Sequence, residues 1–101
     1  MIVEIADLRI RPGTREQFED AIARGLQEII SAAAGFRRYE VQRCVESPER
    51  YVLLIEWDRL EDHTVGFRGS EAFTRWRALV GPYFAQAPQV EHFERVMGTR
   101  G

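Results

Sequence analysis

The chain predicts an α+β fold of ferredoxin-like order, β-α-β-β-α-β, with a four-stranded antiparallel sheet and two helices on one face. Three observations carry this. Alternating and helical apolar periodicities follow one another in that order along 101 residues. The two middle strand patterns are joined by only a short Ser47-Pro48-Glu49 turn, which demands an antiparallel hairpin. Apolar residues also stand on both parities of the first and third strands, more than two helices on one face can cover.

Each element has a local cause. Ile2 to Ile10 is rich in β-branched and apolar residues and stops at Pro12-Gly13, so it reads as a strand and a turn. Thr14 with Gln17 three positions later matches a capping box, and Phe18, Ile22, Leu26, Ile29 and Ala33 form the apolar stripe of a long helix. Gly35 stands where a helix-ending glycine belongs. Phe36 to Val45 reads as a second strand through Tyr39, Val41 and Val45, and Tyr51 to Trp57 is the strongest strand in the chain. Asp58, with Glu61 at the third position, is the expected cap of the next helix. Gly66 and Gly69 interrupt that helix, Ser70 restarts it, and Phe73, Trp76, Leu79, Val80 and Tyr83 mark its apolar face before Gly81-Pro82. Val90 to Val96 is the last strand. Residues 1–97 make a single domain and 98–101 a mobile tail.

Composition excludes several chemistries. All fourteen cations are Arg; there is no Lys and no Asn. Lysine-based Schiff bases and phosphate loops are therefore out. A net charge of -2 lacks the basic footprint of a nucleic-acid binder. A single Cys44 leaves no internal disulfide and no cysteine-based zinc cluster. No apolar run approaches the ~20 residues of a membrane span, and a cytoplasmic protein is expected. In the third strand Tyr51, Leu53, Ile55 and Trp57 share one face while Val52 and Leu54 take the other, as do Val3 and Ile5 against Leu8 and Ile10 in the first. A second copy of the sheet is the simplest cover, so a homodimer is expected.

Ile55-Glu56-Trp57, the Asp58 to His63 helix start, Phe67 to Phe73 and the closing Pro88-Gln89-Val90-Glu91-His92-Phe93 resemble the antibiotic biosynthesis monooxygenase (ABM) family of dimeric α+β barrels. The resemblance spans nearly the whole chain and implies a dimeric barrel. It implies a function less narrowly, because the family includes quinol and anthrone oxygenases, heme degraders and isomerases. The heme-degrading branch uses an Asn, a Trp and a His where this chain aligns Ala6, Gly66 and Trp76, which argues against heme oxygenation. The anthrone-oxidising branch lines its pocket with Trp, Tyr, Arg and Asn. Alignment keeps the Trp as Trp57 and the Arg as Arg77, but puts His63 at the Tyr and Leu53 at the Asn.

No glycine-rich dinucleotide signature is present, and no cofactor is expected. Cofactor-free oxygenation of an electron-rich phenol or anthrone by O₂ needs a base, a partner for the developing oxyanion and a dry apolar cavity. His63 is the expected base, because imidazole titrates near neutrality. Spacing alone also allows an exposed helix histidine. Arg77 is the expected oxyanion partner, against a solvated surface arginine. Trp57 serves as a pocket wall or closes the core; Leu53, Phe67, Phe73 and Trp76 are expected against substrate, although an aromatic stripe that includes Tyr83 is more often core. His92 shares the parity of Val90 and Val96, which allows an inward position, but an edge or interface role is expected. His63, His92 and a carboxylate lack metal-ligand spacing, and no metal is expected. Cys44 beside Arg43 reads as a tolerated cysteine, and Ser31, Ser47 and Ser70 stand in no nucleophile motif. The leading reading is a cofactor-independent monooxygenase acting on a small phenolic, quinol or anthrone-like aromatic. The rivals are an isomerase or cyclase using the same His63, and a non-catalytic ligand-binding dimer.

Overall fold

The structure, a computed structural model, describes residues 1–99. Of the tail expected over 98–101, Gly98 and Thr99 have no regular structure, and the last two positions lie outside the described residues. Strands β1 (Ile2–Arg9), β2 (Phe36–Arg43), β3 (Arg50–Trp57) and β4 (Gln89–Phe93) form one sheet. Its order is β2-β3-β1-β4, with every neighbouring pair antiparallel. Helix α1 (Arg15–Glu28) connects β1 to β2, and α2 (Glu71–Val80) lies on the path from β3 to β4. This is the ferredoxin-like arrangement the periodicities predict. Among the described residues no helix is long and apolar enough to cross a membrane.

The period-two alternation of the central strands decides what the core contains. Ala6, Leu8 and Ile10 on one side of β1, and Tyr51, Leu53, Ile55 and Trp57 on the same side of β3, are all buried under the helices. Helix α1 seats Phe18, Ile22 and Leu26 on them. Tyr51 adds a polar tie, its hydroxyl donating to Glu19 Oε2 on α1 at 2.6 Å. Burial and that acceptor push the Tyr51 phenol up to about 12, and the same hydrogen bond holds the Glu19 carboxyl below its ordinary value. Helix α2 is held differently. Only its Val80 is fully buried. Its approach to α1 is set at Gly25, where an added Cβ would stand 2.7 Å from the Trp76 ring.

Element ends depart from the sequence reading in ways the hydrogen bonds explain. Thr14 makes no side-chain cap; its hydroxyl turns back to donate to the Arg11 carbonyl at 2.7 Å. Asp58 does not cap the next helix either, because its carboxylate accepts from Arg37 Nη1 at 2.9 Å. Asp62, inside the helical segment, reaches back instead, accepting from the Arg59 backbone N–H at 3.0 Å. The segment Asp62–Phe67 then winds as a π-helix, with Arg68 N–H reaching back five residues to the His63 carbonyl at 3.0 Å. Ser70 restarts the chain as expected, its hydroxyl accepting from Phe73 N–H. Gly35 has φ +83, and the Asp62 carboxylate occupies the place a Cβ would take.

Two strands are shorter than predicted. The hairpin closes at Cys44 N–H to Arg50 carbonyl, which leaves Val45 at 90% exposure. Strand β4 is an edge whose ladder to β1 ends at Val3↔Phe93, so Val96 lies beyond it and is exposed. The sheet face away from the helices carries half-buried Val3, Ile5, Val52 and Leu54 with exposed Phe93. Ion pairs flank them: Asp7 with Arg50 and Arg9, each at 3.1 Å, and Glu56 with Arg38 at 2.8 Å.

Candidate active site

The separation of α2 from the sheet leaves a cavity of about 460 Å³, within the range of small-molecule sites. Glu4, Ala6 and Leu8 of β1, Leu53 and Ile55 of β3 and Val90 of β4 form its sheet side. His63, Phe67 and Arg68 come from the π-helical segment and its end, and Phe73, Trp76 and Arg77 from α2. Gln86, Ala87 and Pro88 close it from the approach to β4. The lining is apolar except for four ionisable groups (Glu4, His63, Arg68 and Arg77) and one amide, Gln86.

Two of those groups belong to a buried cluster of polar contacts. Glu4 shares the parity of Ala6, Leu8 and Ile10 and so points into the core, 5% exposed. Register sets it beside His92 on β4 and Ile55 on β3. Trp57 Nε1–H donates to Glu4 Oε1 at 3.0 Å. His63 Nε2 lies 3.3 Å from the same oxygen, and His63 Nδ1 lies 2.8 Å from His92 Nε2. Trp57 stacks on the His63 ring at 5.5 Å and 23°, with Phe67 nearly parallel to it at 6.3 Å. The imidazole is therefore fixed in position by both rings and both of its nitrogens.

Electrostatics follow from burial. Removal from water pushes the Glu4 carboxyl above its ordinary value, which the Trp57 donor and the Arg68 charge only partly counter. Burial lowers His63 to about 4, with smaller contributions from Arg68 and His92. His92 is lowered for the same two leading reasons, burial and then Arg68. At neutral pH His63 is thus a neutral imidazole with one ring proton. Arg77 sits with its guanidinium 5.8 Å from the Phe73 ring centre, a cation–π placement that keeps the charge at the cavity.

Of the residues singled out from sequence, His63, Arg77, Leu53, Phe67, Phe73 and Trp76 line this one cavity. Trp57 does not. It is fully buried one layer behind, where its indole serves Glu4 and His63 rather than the cavity surface. His92 lies on the edge strand, as expected, but not with its ring at the rim. Its parity with Val90 turns it inward to His63. Tyr83 packs against Phe18 in the core, away from the cavity lining. The Cys44 thiol faces Glu46 at the hairpin. Glu4, His63 and His92 contact one another through opposite nitrogens of the middle ring, so they do not converge on one point as metal ligands must. No metal-holding group of three such residues occurs among the described residues.

Sequence reasoning missed Glu4 and Arg68. The signal for Glu4 was present: an acid on the core parity of an otherwise apolar strand. Arg68 carried none, because the π-helical turn that brings it to the cavity has no sequence period of its own.

Comparisons with known proteins agree with this architecture. The sequence pattern of the antibiotic biosynthesis monooxygenases matches residues 1–79. The uncharacterised Bacillus subtilis protein YczJ is 43% identical over 96 residues, covering 95% of this chain and all of that one. A Bordetella bronchiseptica structure, provisionally assigned to the antibiotic biosynthesis monooxygenases, superposes with a TM-score of 0.90 at 38% identity over 95% of this chain and 97% of its own. SnoaB, a cofactor-independent oxygenase from Streptomyces nogalater, shares the fold at a TM-score of 0.80 over 96% of this chain and 94% of its own, with 14% identity. The chain belongs to the antibiotic biosynthesis monooxygenase family.

Proposed function

We propose that this protein is a cofactor-independent monooxygenase that uses O₂ to oxidise a small phenolic, quinol or anthrone-like aromatic in the cavity under α2. The observation that carries the reading is a buried carboxylate–imidazole pair, Glu4 and His63, set into an otherwise apolar cavity that two arginines also line. An anthrone-type methylene needs no external reductant. Loss of a proton gives a carbanion that reduces O₂ and forms the C–O bond; the resulting peroxide loses water and leaves a carbonyl. The protein supplies proton acceptance through the Glu4–His63 couple, charge stabilisation through Arg77 and Arg68, and a dry, flat-walled space from Leu53, Phe67, Phe73 and Trp76. A homodimer formed through the open sheet face belongs to the same reading, supported by the apolar Val3, Ile5, Val52 and Leu54 there. A cytoplasmic setting is supported by the one unpaired cysteine, Cys44.

Aerobic incubation with anthrone and with menadiol, followed by absorbance of the quinone formed, tests it. The wild type should exceed the buffer rate, and His63→Ala should be slower by about 100-fold or more. A wild-type rate equal to buffer sinks the oxygenase assignment. Conversion of substrate that persists at the same rate without O₂ replaces it with an isomerase or cyclase.

A further inference from the structure

His63 is fully engaged. One ring nitrogen lies 3.3 Å from Glu4 and the other 2.8 Å from His92, so both are turned to protein groups rather than to a substrate. Glu4 is arranged the opposite way. Its hydrogen-bond donor, Trp57 Nε1–H, and the nearby His63 Nε2, 3.3 Å away, both meet it at a single oxygen, Oε1. Oε2 has no hydrogen-bond partner among the described residues, yet no buried polar side-chain atom is left unsatisfied there. Oε2 therefore has open surface, and the cavity is the space that Glu4 lines.

From this asymmetry we propose that Glu4 Oε2 is the atom that takes the substrate proton, and that His63 and His92 are positioning residues that hold Glu4 in its reactive form. The proposal rests on the cofactor-free reading above and names its base. The hydrogen-bond directions are fixed by one constraint. An ionised Glu4 only accepts, so His63 carries its proton on Nε2 and presents a bare Nδ1. His92 must then donate from Nε2, leaving its own Nδ1 bare. The Trp57 hydrogen bond and the neighbouring His63 Nε2 stabilise the carboxylate at Oε1 and turn its other oxygen to the cavity. In the step itself the substrate C–H or O–H bond breaks, its electron pair stays on the substrate, and the proton forms an O–H bond at Oε2. The groups facing the carboxylate are His63 and Arg68 from the π-helical segment and its end, His92 from β4, Trp57 from β3 and Arg77 from α2. Arg68 favours the ionised state before the step, and Arg77 lines the same cavity. They then face the anion made by it.

Proton removal is separable from oxygenation, and the experiment uses that. Under nitrogen in D₂O, exchange of the anthrone methylene is followed by NMR for wild type, Glu4→Gln, His63→Gln and His92→Gln. Glu4→Gln keeps an Oε1 acceptor for Trp57, and near-ultraviolet dichroism checks its packing. Glu4→Asp, with the carboxylate drawn back, is read in its place if the amide does not fold. The wild type should catalyse exchange and Glu4→Gln should lose at least 100-fold (about 10²–10⁴ for a general base). His63→Gln and His92→Gln should lose less, while the acid limb of their pH profiles moves upward because the carboxylate has lost support. Nitrogen-15 NMR of the imidazoles should show His63 protonated at Nε2. Exchange by Glu4→Gln at the wild-type rate, abolition in His63→Gln alone, no exchange by the wild type, or a proton on His63 Nδ1 would each overturn the assignment. Exchange without aerobic quinone formation defeats the oxygenase reading and leaves Glu4 as the base.

Discussion

At the scale of single residues the site is governed by what burial does to ionisable groups. His63 is 3% exposed and its imidazole is held down to about 4. The unfolded chain binds a proton there near 6.5, so acid favours unfolding over the window from about 6.5 to about 4. The sign is fixed: a depressed imidazole contributes stability at neutral pH that is lost as pH falls. By pH 5 the loss from His63 alone is about 2 kcal/mol. Glu4 is raised and works in the other direction, since the folded state takes up its proton first; it offsets part of the loss once pH approaches its own titration. Denaturant unfolding at pH 7 and pH 5 should therefore show lower stability at pH 5, and His63→Gln should flatten the difference. An unchanged difference in His63→Gln would assign the effect to other groups. His63 itself was legible as a candidate because histidine is rare here and follows Trp57. What was not legible is that both nitrogens are occupied, since that depends on His92, 29 residues away.

At the scale of elements, the two helices divide the labour. Helix α1 supplies packing, with an unbroken stripe at Phe18, Ile22 and Leu26, and its existence could be read from spacing alone. Helix α2 stands off the sheet and roofs the cavity, which is why its aromatic stripe is only half-buried. The contact that sets its height is Gly25 against Trp76. Gly25→Ala adds about 1 kcal/mol of helix propensity but forces the Trp76 ring back, and overpacking of this kind costs about 1–3 kcal/mol. The expected outcome is a lower denaturation midpoint, with changed Trp76 fluorescence as the roof shifts. A higher midpoint would mean that Trp76 gives way without resistance. The joint between β3 and α2 was the least legible part. Asp58 and Glu61 look like a helix start, yet Arg37 claims Asp58 and the chain runs through a π-turn instead. Partners from β2 decided that outcome, and no local window contains them.

At the scale of the whole molecule, the order of elements was legible from their periodicities. Which parity of β1 and β3 faces the helices was not, because both parities carry apolar residues. The strict alternation is one of burial in the fold. The same alternation leaves Val3, Ile5, Val52 and Leu54 on the outer face, where a lone chain has nothing to set against them. Leu54→Glu puts a charge at the centre of that surface. If a second copy covers it, light scattering should report a dimer for wild type and a monomer for Leu54→Glu at micromolar concentration. A monomeric wild type would refute the interface. The salt bridges around the patch are half-exposed and contribute little to stability, about 0–1 kcal/mol each. Asp7 and Glu56 hold fixed charges at its margin.

Strand β1 runs through the middle of the sheet, between β3 and β4, and its residues alternate sides. Glu4 faces the cavity, while its two chain neighbours, Val3 and Ile5, face outward. A subunit that settles on those valine and isoleucine side chains presses on the very peptide units that aim the carboxylate. Association and the aim of the carboxylate then share one piece of backbone, so a ligand held at Glu4 and a second subunit change each other's affinity by the same factor. The affinity for a ligand held at Glu4 should accordingly change as the protein is diluted through its assembly range, before any unfolding is seen.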